Sequence, residues 1–282
     1  MASPKTPARH WLRAFHAAPD ARTTLICLPH AGGPASFYYQ LSRLLAPRVE
    51  VLCAQYPGRQ DRLAEPPART LADLLDAIVG ELPDLDDRHL ALFGHSMGAT
   101  VAFELALRLE HQSGRAAGPS GATAAPAVVF VSNRRAPSLP TTSLIHTYAD
   151  ERLAAVLSRL GGTEDAVLAD RELLRGVLPA VRADYRIIET YGPSSERLRC
   201  PIVALRGQDD PVTSHDQATA WREHTAGPFE LLTFPGGHFY AAHWDPGLVR
   251  AIEARLPGRA GEPERAGIGG ARDSGPAHAR PR

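Results

Sequence analysis

The sequence predicts an α/β fold: a mostly parallel sheet with helices on both faces and a helical lid insertion. Three observations carry that prediction. Short, β-branched apolar runs alternate with helical periods, most of those runs lack a polar face, and one all-helical stretch interrupts the alternation late in the chain.

The strand-like runs fall at residues 23–28 (TTLICL), 49–54 (VEVLCA), 90–93 (LALF), 128–132 (VVFVS), 202–205 (IVAL) and 229–234 (FELLTF). Helical periods occupy 37–45, 71–82 and 97–110 after the first three, and 217–224 and 246–256 nearer the end. Residues 114–126 (GRAAGPSGATAAP) have the composition of a flexible surface loop. Residues 141–191 hold helical periodicity at 150–160 and 171–191, which is more than one crossover helix needs, and they are expected to form the lid. From residue 257 to 282 a single isoleucine stands among Gly, Pro, Arg and Ala, so a disordered tail is expected there. One domain is therefore expected over residues 1–256.

Composition removes several classes of function. The 282 residues carry 31 basic and 31 acidic side chains, so no net field favours nucleic acid or an anionic membrane. Lys5 is the only lysine and sits in a polar tail, which excludes a P-loop and Schiff-base chemistry. Cys27, Cys53 and Cys200 show no CxxC pair and no metal spacing; buried reduced thiols are expected. No N-terminal apolar stretch has signal-peptide length, and no run reaches about 18 apolar residues. A cytoplasmic protein without cofactor is the expectation. No motif reads the oligomeric state, and a monomer is expected.

The strongest local motif is Gly94-His95-Ser96-Met97-Gly98, which directly follows LALF and opens the helical run MGATVAFELALRLE. That strand–turn–helix placement is the one a nucleophile elbow requires, with flanking glycines expected to ease a strained turn under Ser96. A plain N-cap serine needs neither glycine. A serine hydroxyl needs a base, and His238, in FPGGHF after the last strand-like run, faces the same sheet edge. His243 leads into a helix and suits a surface role; His30 and His95 flank the elbow and are not placed to act as base. The third member should be a carboxylate at another strand end. Gly207-Gln208-Asp209-Asp210-Pro211 follows IVAL, and its G-x-x-D-P frame selects Asp210, leaving Asp209 as a turn or solvated residue. The chain order Ser, Asp, His is that of the α/β-hydrolases. Two amides complete an oxyanion hole: Met97, next to the nucleophile, and Ala31, in the loop Pro29-His30-Ala31-Gly32-Gly33.

With these motifs in place, the chain resembles the type II thioesterases, the free-standing editing hydrolases that accompany polyketide synthases and nonribosomal peptide synthetases. LPHAGG at 28–33, YPGRQDRLAEP at 56–66, GHSMG at 94–98, and GQDDP with GGHF carry the resemblance, over roughly residues 25–243. It implies a Ser96–Asp210–His238 triad, oxyanion amides at Ala31 and Met97, and a mobile lid over an acyl chamber. The implied substrate is a short or aberrant acyl group on the phosphopantetheine arm of an acyl or peptidyl carrier protein. SNRRAP at 132–137 departs from the family by carrying Asn133 where glycine is usual. For Arg59, Arg62 and Glu65, structural arginine–glutamate pairing is expected over phosphate binding. Two alternatives stay open: another α/β-hydrolase acting on small esters or soluble acyl-CoA, and a hydrolase fold kept as a binding module.

Overall fold

The computed structural model describes residues 10–85, 88–114, 125–162, 167 and 169–258. Among them seven strands form one sheet in the order β1-β3-β2-β4-β5-β6-β7. They are β1 (Leu12–Ala14), β2 (Thr23–Leu28), β3 (Glu50–Ala54), β4 (His89–His95), β5 (Val128–Ser132), β6 (Ile202–Gly207) and β7 (Phe229–Phe234). Every pairing is parallel except β1 with β3, which is antiparallel. All six residues of β2 are buried, because helices cover both faces of the sheet. Within that strand Ile26 and Leu28 join one core and Leu25 and Cys27 the other, following the two-residue alternation of side chains.

The helices α1 (Tyr39–Leu45), α2 (Leu71–Gly80) and α3 (Met97–Ser113) follow the strands as expected. α3 is rich in Ala and Leu, both good helix formers, and buries most of its length against the sheet. β1 escaped the sequence reading because three residues with an arginine in the middle have no readable period. β4 and β6 run further than their apolar patterns, ending at His95 and Gly207. Pairing with β5 and β7 outweighs the poor strand propensity of Gly94 and Gly207.

Between β5 and β6 lie α4 (Asp150–Leu160) and α5 (Arg171–Thr190), preceded by a short 3-10 turn at Ile145–Thr147. Leu153 and Leu157 of α4 meet Leu178 and Val181 of α5 in a small core of their own. Pro179 lies inside α5, and the residues before it are mostly exposed while those after it pack onto the body. Glu189, near the end of α5, accepts hydrogen bonds from Ser143 Oγ (2.6 Å) and from the amides of Ile145 (2.8 Å) and His146 (3.0 Å), which lashes the insertion's entry to that packed half.

The expected loop at 114–126 lies mostly outside the described residues, as does the expected tail from 259 onward. Pro257 and Gly258, placed in that tail by the sequence, belong to the body instead. The Pro257 carbonyl accepts a hydrogen bond from Thr23 Oγ1 at 2.6 Å. A backbone bond to a strand residue is invisible to composition. All three cysteines are free and buried. Among the described residues no helix is long and apolar enough to cross a membrane.

Candidate active site

Strand order decides where a site can form. β2 has β3 on one side and β4 on the other, so the loops leaving β2 and β4 diverge and open a crevice at the strands' carboxyl ends. The loop after β2 carries His30 to Gly33, and the turn after β4 carries Ser96.

Ser96 has φ 54° and ψ −115°, a backbone conformation that side chains rarely adopt, and it sits between the end of β4 and the first residue of α3. As expected, the glycines on either side let this strained turn form without a Cβ clash. A Cβ on Gly98 would lie 1.9 Å from the Leu28 carbonyl oxygen, and one on Gly94 2.0 Å from that of Gly98.

The structure brings Ser96, His238 and Asp210 together. Ser96 Oγ lies 3.0 Å from His238 Nε2, and His238 Nδ1 lies 3.0 and 3.1 Å from the two carboxylate oxygens of Asp210. An ionised carboxylate only accepts, so Nδ1 carries the proton and Nε2 is free to accept from the serine hydroxyl. Asp210 is buried and accepts the Val212 amide at 2.8 Å, which fixes its orientation. Asp209 is exposed, and its amide donates to the Gly236 carbonyl at 2.9 Å. His243 is exposed.

His30, Ala31, Ser96 and His238 line one cavity of about 20 Å³ together with Leu157, Leu160, Gly162, Tyr185 and Phe239. That is room for roughly one water molecule. Met97 is the first residue of α3, so its N–H has no carbonyl partner within the helix. Ala31 and Met97 thus flank Ser96 from the two loops of the crevice. His30 is pulled down to about 3, first by burial and then by His238 and Arg59 nearby; it stays neutral near pH 7. His95 is likewise held well below its ordinary range by burial, and its Nδ1 meets Ser132 Oγ at 2.9 Å, away from the serine. Neither can rival His238 as a base.

Arg62 pairs with Glu65 through Nε (2.9 Å) and Nη2 (2.5 Å) and donates to the Gln55 carbonyl at 2.7 Å. The expected arginine–glutamate pairing holds for Arg62 but not for Arg59, whose Nη2 bonds Asp184 of α5 instead.

Sequence reasoning missed three residues here. Asn133 occupies a left-handed position (φ 45°) just past β5. Its Oδ1 accepts the Gly207 amide at 2.8 Å, and its Nδ2 donates to the carbonyls of His238 (2.6 Å) and Gly237 (3.2 Å). It therefore ties the turn leading to Asp210 to the loop that carries His238. The departure from glycine was the available signal, since asparagine is among the few side chains that tolerate this conformation. Asp184 is a lone acid on the buried stripe Leu178, Val181, Asp184, Ile188 of α5, and that isolation was its signal. Tyr185 gave none.

With this geometry in place, the chain can be set beside known proteins. A family model described as "Thioesterase domain" matches residues 23–256. The chain belongs to the thioesterase family. The "Probable cadicidin biosynthesis thioesterase" of Streptomyces griseus is 46% identical over 255 residues, covering 90% of this chain and 68% of that one. The "Thioesterase PikA5" of Streptomyces venezuelae is 47% identical over 232 residues, 82% of this chain and 79% of that one. Among solved structures, the type II thioesterase BorB from the borrelidin biosynthetic cluster superposes with a TM-score of 0.75 at 45% identity, covering 87% of this chain and 97% of its own. This thioesterase is thus a serine hydrolase of the α/β-hydrolase fold that acts on thioesters, and its resemblance to the type II group is borne out.

Proposed function

We propose that this thioesterase clears short or aberrant acyl groups from the phosphopantetheine arm of an acyl or peptidyl carrier protein in the cytoplasm. Ser96 is the nucleophile, His238 the general base and acid, and Asp210 the carboxylate that orients it. Residues 1–256 act as one catalytic domain, with 141–191 as a lid. The observation that carries this reading is the unbroken line Ser96 Oγ, His238 Nε2, His238 Nδ1, Asp210 at 3.0–3.1 Å, opening on a cavity beneath the helical insertion.

The chemistry proceeds in two acyl transfers. His238 Nε2 takes the Ser96 proton as Oγ attacks the thioester carbonyl, and Asp210 stabilises the imidazolium so formed. The tetrahedral oxyanion is held by the amides of Ala31 and Met97, each worth about 10²–10³ in rate in comparable sites. Collapse breaks the C–S bond and releases the arm's thiol with the proton from His238. Water, deprotonated by His238, then attacks the acyl-serine, and the carboxylic acid leaves as Ser96 regains its proton. Leu157 and Leu160 of α4 line the cavity beside Ser96, and movement of α4 away from Ser96 would widen it for the acyl group.

The test loads carrier proteins with acyl groups of graded length and follows carrier mass with wild type and Ser96→Ala. Wild type should return the free thiol of carriers bearing acetyl or propionyl units, and Ser96→Ala should not. Carriers that stay loaded while a simple oxygen ester or a soluble acyl-CoA is cleaved rapidly would refute the carrier assignment in favour of a small-substrate hydrolase.

A further inference from the structure

The loop that offers Ala31 is held from the lid. Gly33 N–H donates to the His30 carbonyl at 2.9 Å, and Gly32 has φ +75°, which together make residues 30–33 a turn of type II form. Its central peptide, between Ala31 and Gly32, can turn over to the type I form at modest cost. What opposes that flip is Asp184 of α5, whose Oδ2 accepts the Gly32 N–H at 2.7 Å. The approach is tight, since a Cβ on Gly32 would lie 2.6 Å from Val181 Cγ2 of the same helix.

Asp184 is wholly buried, and the same oxygen, Oδ2, also takes Arg59 Nη2. Arg59 is buried as well, and its Nη1 is tied to the Pro57 carbonyl at 2.5 Å. An arginine and a carboxylate left to each other form two parallel hydrogen bonds. Here Asp184 Oδ1 and Arg59 Nε have no hydrogen-bond partner among the described residues, although both are buried. The carboxylate is therefore turned for the loop amide, with Arg59 compensating its charge from the side.

We infer that Asp184 is a positioning residue for the oxyanion loop: by holding the Gly32 N–H it anchors the 30–33 turn to α5 and keeps the Ala31 N–H where it meets the tetrahedral intermediate. The inference rests on the proposed role of Ala31. The Ala31 N–H belongs to the preceding peptide and keeps its direction through a flip of the Ala31–Gly32 peptide, so what the Asp184 bond fixes for it is the place of the whole turn against α5. Asp184 follows Pro179 on the packed half of α5, which gives the turn an anchor on the body.

The test compares Asp184→Asn, Asp184→Ala and the double variant Arg59→Met with Asp184→Leu. The first keeps an acceptor for Gly32 N–H, the second removes it, and the third replaces the whole buried pair with apolar side chains, a change that often preserves stability. The readouts are Tm, kcat and KM on a propionyl thioester of N-acetylcysteamine. Affinities are also measured for a short alkyl trifluoromethyl ketone, which forms a tetrahedral adduct with serine, and for the matching thioether, which cannot. Expected is a folded double variant whose kcat falls by about 10²-fold, the loss typical of a misplaced catalytic group. Its KM and thioether affinity should stay within about threefold, and its ketone affinity should fall in step with kcat. Asp184→Asn should keep kcat within about tenfold and Asp184→Ala should follow the double variant. A folded double variant with wild-type kcat overturns the inference. So does an Asp184→Ala that matches Asp184→Asn, which decides the matter if the double variant does not fold. A wild type that ignores the ketone would instead remove the serine-nucleophile reading, and this inference with it.

Discussion

Replacing Asn133 by glycine should weaken this protein rather than improve it. The side chain makes three hydrogen bonds, to the Gly207 amide and to the carbonyls of His238 and Gly237, all in the buried junction between the acid and base loops. Losing Oδ1 leaves the Gly207 N–H buried without that partner, at about 1–3 kcal/mol, and losing Nδ2 costs roughly 1 kcal/mol more at the carbonyls. Glycine also adds about 0.5–1 kcal/mol of unfolded-chain entropy, while relieving about 1 kcal/mol of strain at φ 45°. The balance is about 2–4 kcal/mol of destabilisation. For a domain of this size that is a fall in Tm of about 5–12 °C. Urea and thermal unfolding measure it directly. Turnover should fall as well, by about 10-fold, because His238 loses a tether on its own carbonyl. An Asn133→Gly protein with unchanged Tm and kcat would refute the reasoning and reduce the asparagine to a filler of the left-handed position.

Other outcomes follow from the same geometry. Asp210→Asn should lose about 10⁴ in kcat through the wrong imidazole tautomer, while Asp209→Asn stays within about tenfold; steady-state kinetics of the two variants check the ranking, and equal losses would refute it. Stability should decline as pH drops below about 6.5, because the unfolded chain protonates His30 there while the folded chain holds it neutral down to about 3. His30→Gln should remove about 1.2 kcal/mol from the change in unfolding free energy between pH 6 and 5, and an unchanged slope would contradict the burial of a neutral histidine. Truncation after Gly258 should leave Tm unchanged, whereas truncation after Leu256 removes the carbonyl that takes Thr23 Oγ1 and should lower Tm by about 2–4 °C. Differential scanning calorimetry of the two truncations separates them.

Six of the seven described strands and every long helix are legible in the sequence, because a sheet buried on both faces demands apolar runs such as VVFVS and its helices demand the 3.6-residue period. The triad positions are legible for a related reason. Each stands at a strand end, and strand ends in a parallel sheet converge on one edge, so Ser96, Asp210 and His238 could be brought together without knowing the strand order. What stayed hidden are contacts between segments far apart in the chain that leave no periodic trace. Asn133 reaches Gly207 and His238 across two loops, and Asp184 reaches Gly32 across 152 positions. Arg59 was read with its neighbour Glu65 because proximity in sequence was the only guide, and its partner lies on a different element.

The roof that Leu157 and Leu160 form over Ser96 has a kinetic meaning. On the proposed reading, each acyl group reaches Ser96 only when α4 lies away from it, and the apparent affinity of each is scaled by the same open fraction. Such a factor cannot tell one acyl chain from another by shape. It tells them apart by waiting time: an intermediate that moves on within the interval between openings escapes, and one that lingers on its carrier is met and cut. On the proposed reading, selectivity for stalled chains would then come from the clock set by α4, with the pocket itself free to remain permissive.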